Sequence, residues 1–90
     1  MAASCYGFDR CYRWLRGKLE YSTADGRWRL RYIPMGCAAD AYGGSVVLAN
    51  SPQLQGLLPD TYAEVRGQVN CSTARPGGAP EYLVAEIRRL

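Results

Sequence analysis

Residues 26–34 read Gly-Arg-Trp-Arg-Leu-Arg-Tyr-Ile-Pro, with Arg27, Arg29 and Arg31 set strictly between Trp28, Leu30 and Tyr32. A period of two is the pattern of an extended strand, in which successive side chains point to opposite faces. A slip of one residue would carry three guanidinium groups into the interior, so the register is strongly specified. Trp28, Leu30 and Tyr32 are therefore expected inside and the three arginines outside. The preceding segment repeats the period from Trp14 onward, with Leu15, Gly17, Leu19 and Tyr21 alternating against Arg16, Lys18 and Glu20. Asp25-Gly26 between the two segments is a hairpin turn signal, and Pro34 closes the second strand. A lone hairpin cannot bury an apolar face stably, so further strands are required.

The rest of the chain supplies them. Residues 45–49 (Ser-Val-Val-Leu-Ala) form a short apolar run, read as a third strand covered on both faces. Asn50 or Ser51 is placed to cap a short helix with Pro52 at its first position, burying Leu54, Leu57 and Leu58. Residues 61–69 alternate again, with Ala63, Val65, Gly67 and Val69 inward against Glu64, Arg66 and Gln68. A Gly/Pro-rich loop follows. Residues 81–90 close the chain as a fifth strand, with Leu83, Ala85 and Ile87 on one face. Residues 1–13 show no period and form an N-terminal arm; residues 14–90 form the domain proper. Ninety residues, fifteen of them Gly or Pro, make one small domain rich in turns rather than long helices.

The order of three strands, a short helix and two strands resembles the OB-fold (oligonucleotide/oligosaccharide-binding fold), a five-stranded Greek-key barrel. The expectation is an all-β protein with that barrel and one short helix between the third and fourth strands. Gly17 and Gly67 fall at matching inner-face positions of the first and fourth strands, where a small barrel needs its backbones to bend and approach. The resemblance implies a ligand face on the second and third strands, flanked by the turn at 23–26 and the loop at 71–80. That face carries Arg27, Arg29 and Arg31 with Ser45 and Val47. Lys18 lies beside it, and Tyr42 stands at the rim.

No residue pattern points to a reaction. The chain has no histidine, nucleophile elbow or phosphate loop, and Glu20, Glu64 and Glu86 read as solvated outward positions. A non-enzymatic binding module with no cofactor is expected, its partner a protein or an oligomeric ligand that the residues do not identify. The alternative is a single-stranded nucleic-acid binder. Residues 1–34 hold seven Lys/Arg against three Asp/Glu (+4), and residues 35–90 hold four against five (−1). Such binders add exposed aromatics for stacking. With Trp28 and Tyr32 turned inward, and Arg29 able to pair with Glu20 across the hairpin, only weak nucleic-acid binding is expected.

Cys5, Cys11, Cys37 and Cys71 contain no C-x-x-C spacing, which disfavours a metal site. One disulfide is expected, with Cys37–Cys71 favoured over Cys5–Cys11; four reduced thiols are the alternative. Ala2-Ala3-Ser4-Cys5 resembles the small-residue end of a bacterial lipoprotein signal, without the apolar stretch that should precede it. This feature, with paired cysteines, tilts the expectation towards an exported or cell-envelope module over a cytoplasmic one. No apolar run approaches the ~20 residues of a membrane-spanning helix.

Overall fold

A computed structural model describes residues 6–34, 36–37, 40, 42–70 and 79–90. Six strands form one sheet: β1 (Gly7–Phe8), β2 (Trp14–Ser22), β3 (Arg27–Arg31), β4 (Ser45–Leu48), β5 (Tyr62–Val69) and β6 (Glu81–Arg89). The neighbour order is β1-β2-β3-β4-β6-β5, and an additional β2–β5 pairing closes the last five strands into a barrel. The protein is all-β, as the alternation implied. A closed ring of five strands cannot be antiparallel throughout, because direction must return to itself after an odd number of steps. The unavoidable parallel pair is β4–β6, with Val47 opposite Glu81 and Leu48 opposite Tyr82.

The β2–β3 hairpin pairs Lys18 with Arg31, Leu19 with Leu30 and Ser22 with Arg27. β3 parts from β2 beyond Lys18, and β1 takes its place along Leu15 and Arg16. The arm is thereby tied to the sheet at Gly7 and Phe8. On the other edge of β2, residues Trp14 to Lys18 pair with β5.

Gly17 is where this double pairing becomes possible. A Cβ there would lie 1.8 Å from the Arg31 carbonyl oxygen, and one on Gly67 would lie 1.9 Å from that of Leu83. Only a residue without a side chain lets the backbones approach so closely.

Leu15, Leu19, Leu30, Tyr32, Val46, Leu48, Ala63, Val65 and Tyr82 fill the barrel, each at most 1% exposed. Fully burying a leucine or valine side chain contributes about 1.5–3 kcal/mol. Leu54 joins them from a single 3-10 turn, Pro52–Leu54, in which the Ser51 hydroxyl accepts from the Gln53 N–H. The expected helix is therefore only this turn. Leu57 packs on the core, but Leu58 stays 57% exposed, against expectation.

Three inner-face expectations need correction. Trp28 is only half-buried, because the end of the hairpin extends past the barrel rim; it meets the exposed Tyr21 edge-to-face at 5.0 Å. β4 buries Val46 and Leu48 but leaves Ser45 and Val47 partly open, so it is covered on one face rather than two. In β6 the inward residues are Tyr82, Val84 and Ile87, while Leu83 and Ala85 are exposed. The register explains this last change: Arg66 faces Glu86 but Gly67 faces Val84, so Ala85 is an unpaired bulge residue that inverts the alternation.

Cys11 and Cys37 carry free, exposed thiols. Cys37–Cys71 and Cys5–Cys11 would each consume one of them, so neither disulfide is formed. The thiols belong to separate turns. The Cys11 N–H donates to the Asp9 carboxylate, and the Cys37 N–H donates to the Pro34 carbonyl. Cys5 and Cys71 lie outside the described residues.

Candidate functional site

The expected face on β3 and β4 is assembled, and each of its cations pairs with a carboxylate. β3 holds Arg27, Arg29 and Arg31 on the outer side, all half-buried rather than free. Arg27 Nη2 donates to Glu81 Oε2 at 2.9 Å, Arg29 Nη2 to Asp25 Oδ2 at 2.9 Å, and Arg31 Nε to Glu20 Oε2 at 3.4 Å. Lys18 Nζ stands 3.4 Å from Asp60 Oδ1. Four cations thus meet four carboxylates, and the +4 excess of the first 34 residues does not survive as a cationic face. The expected Arg29–Glu20 pair is replaced. The two residues are opposite in register, but Asp25 in the turn takes Arg29 and Glu20 reaches diagonally to Arg31.

These contacts act on both partners. Arg29 holds the Asp25 carboxyl below its ordinary range, chiefly by hydrogen bonding. Glu81 is likewise lowered, first by the Asn70 amide and then by Arg27. Partly solvated pairs of this kind contribute little to stability. Their larger effect is to orient the guanidiniums. Arg27 Nε is buried with no hydrogen-bond partner, the one such side-chain atom among the described residues.

At the barrel end beside this face, Asp40 organises an aromatic cluster. Its Oδ2 accepts from the hydroxyls of Tyr12 (2.8 Å) and Tyr32 (2.5 Å), and its Oδ1 from the N–H groups of Tyr42 and Gly44. These donors hold the carboxyl low despite its burial. Burial and the adjacent carboxylate push the Tyr12 hydroxyl up to about 12 and raise Tyr32 further. Tyr42 packs on Tyr12 with ring centroids 5.0 Å apart. Its ring is thus anchored at the rim and remains half-exposed.

A second charged cluster went unrecognised in the sequence. Glu64 points outward from β5 yet is only 3% exposed, because Arg16, Arg66 and Arg88 cover it. Its Oε1 accepts from Arg16 Nε at 2.8 Å and Arg88 Nη2 at 3.4 Å; its Oε2 accepts from Arg66 Nε at 2.9 Å. Hydrogen bonding from Arg16 dominates in lowering its pKa. A buried carboxylate stays charged only when paired in this way. The sequence signal was three arginines at outward positions of three different strands, which becomes a cluster only when pairing places them side by side.

The sequence matches no protein-family model, and neither a curated protein nor a solved structure is significantly similar to it. Within the described residues, no helix is long and apolar enough to cross a membrane.

Proposed function

We propose that this protein is a non-enzymatic binding module of OB type that takes its ligand on the outer face of β3 and β4. The observation that carries the reading is the strand order. The five strands β2, β3, β4, β6 and β5 close in that sequence, with β4 and β6 parallel and a short turn between β4 and β5. This is the connectivity expected of the OB-type Greek-key barrel, whose ligands lie across the strands corresponding to β3 and β4. The chemistry of the face favours a neutral polar chain, such as a peptide or glycan, over a polyanion. Its guanidiniums are already matched one for one by carboxylates, and Ser45 and Val47 leave an uncharged strip beside them.

The test is a set of amide chemical-shift titrations with an oligosaccharide, a random peptide pool and oligothymidylate. Saturable shifts confined to β3, β4 and residues 23–26 with the first or second probe would support the reading. Saturable shifts confined to other strands would remove it.

Single-stranded nucleic-acid binding is the second reading, and one observation favours it. The half-buried Trp28 and exposed Tyr21 form an aromatic pair at the end of the hairpin that carries Arg27 and Arg29, and stacking contributes roughly 1–3 kcal/mol per base. Against it stand the carboxylates that a phosphate would have to displace. Anisotropy with a labelled oligonucleotide is expected to show Kd in the non-specific range of about 10⁻⁴–10⁻⁶ M at physiological salt. Nanomolar binding abolished by joint replacement of Arg27, Arg29 and Arg31 would instead establish the nucleic-acid reading. The exported or cell-envelope reading keeps only the Ala2-Ala3-Ser4-Cys5 resemblance as support, since the free thiols of Cys11 and Cys37 remove the expected pairings.

A further inference from the structure

The Glu64 cluster is centred on β5, the one barrel strand that neighbours neither β3 nor β4, and draws Arg16 from β2 and Arg88 from β6. Around it the charges do not balance. Arg16, Arg66 and Arg88 bring three positive charges to the single carboxylate of Glu64. The same recess holds a second carboxylate, Glu86, opposite Arg66 in register and exposed. Counting it leaves an excess of one (three minus two). Glu64, Arg66, Glu86 and Arg88 line a small open recess.

The three guanidiniums differ in what they can still do. Arg16 lies over the Trp14 ring at 5.5 Å, is the least exposed of the three and anchors Glu64 without lining the recess. Arg66 and Arg88 are 54% and 65% exposed. Each gives one hydrogen bond to Glu64, while a guanidinium offers five N–H donors. Both reach the same carboxylate, so both stand within the span of one further oxyanion. Glu64 holds the two in place before any ligand arrives, which lowers the ordering cost of binding.

We propose that Arg66 and Arg88, positioned by Glu64, form a site for a tetrahedral oxyanion of the phosphate-monoester class. Guanidinium forks match phosphate oxygens in geometry and charge. A phosphate would relieve the mutual repulsion of three cations that share one buried carboxylate. Glu86 borders the recess and opposes the anion, so it limits the affinity.

Inorganic phosphate is the probe, followed by the arginine Nε–Hε resonances at constant ionic strength. The expected result is saturable shifts at Arg66 and Arg88, with sodium chloride at the same ionic strength producing none. Arg66→Gln and Arg88→Gln, both at exposed strand positions, should each weaken binding by about tenfold, the loss of one charge-assisted hydrogen bond. Glu86→Gln should tighten it several-fold, a gain that neither misfolding nor a purely structural role for the cluster would produce. Joint replacement of Arg27, Arg29 and Arg31 should leave phosphate binding unchanged, so this site stands or falls independently of the β3–β4 face. Linear, non-saturating shifts, equal shifts with chloride, or unchanged binding in Glu86→Gln would each overturn the assignment.

Discussion

Replacing Gly17 with Ala should come close to unfolding this protein. The added Cβ would sit 1.8 Å from the Arg31 carbonyl oxygen, 2.6 Å from its carbonyl carbon and 2.9 Å from Tyr32 Cα. All three atoms belong to backbone, so no side-chain rotation relieves the clash. Restoring even a 3.0 Å separation from the oxygen moves the end of β3 by about 1.2 Å, the difference between the two distances. That end carries Tyr32, which is 1% exposed, donates its hydroxyl to Asp40 and sends its N–H to the Gly44 carbonyl. Overpacking a tight interior costs about 1–3 kcal/mol, and losing a hydrogen bond to a charged group about 1.5–3 kcal/mol. The sum, about 2.5–6 kcal/mol, is a large part of the roughly 4.5–13.5 kcal/mol that a ninety-residue domain has in total. At about 4–8 °C per kcal/mol for a domain of this size, Tm should fall by about 10 °C or more. Thermal and urea melts followed by circular dichroism measure this. Gly56→Ala is the control: its φ is +80° with nothing within 4 Å of the added Cβ, so it should cost only about 1–2 kcal/mol. A Gly17→Ala protein melting within about 4 °C of wild type, or a Gly56→Ala protein falling as far, would refute the close-approach argument.

Leu30→Ala should cost about 2–5 kcal/mol by urea melts, because Leu30 is fully buried and its removal leaves a cavity. Glu64 has a pKa below its ordinary value of 4.5, so its contribution is present above that value and is lost as pH falls through the lowered one. Wild-type Tm should therefore drop below about pH 4.5, and Glu64→Gln, less stable at neutral pH, should show a smaller acid drop. An unchanged acid profile in the variant would show that Glu64 adds nothing. Cys11 and Cys37 should both react with a thiol reagent in the native, unreduced protein. Protection of either until reductant is added would reinstate a disulfide.

Strands, turn and side-chain parity were legible from residues alone wherever the determinant is local. The alternation through Trp14–Ser22 and Arg27–Arg31 and the Asp25-Gly26 turn each involve near neighbours, and the hairpin forms where they indicate. Gly17 and Gly67 were also readable as close-approach positions, since an inward glycine in an alternating strand has few other uses. What tertiary structure decided was everything that depends on which strands meet and in what register. The bulge at Ala85 inverted the inner face of β6 because its cause lies in the pairing with β5 rather than in the alternation of β6 itself. Trp28 is only half-buried, though packed against the core, because the hairpin outruns the barrel. The charges show the division most sharply: outward placement of Glu64, Arg16, Arg66 and Arg88 follows from parity, but the burial of Glu64 does not. It follows from three strands bringing three guanidiniums over one carboxylate. Parity is a property of one strand, whereas a charge's surroundings belong to its neighbours, and only barrel closure makes β2 and β6 both neighbours of β5.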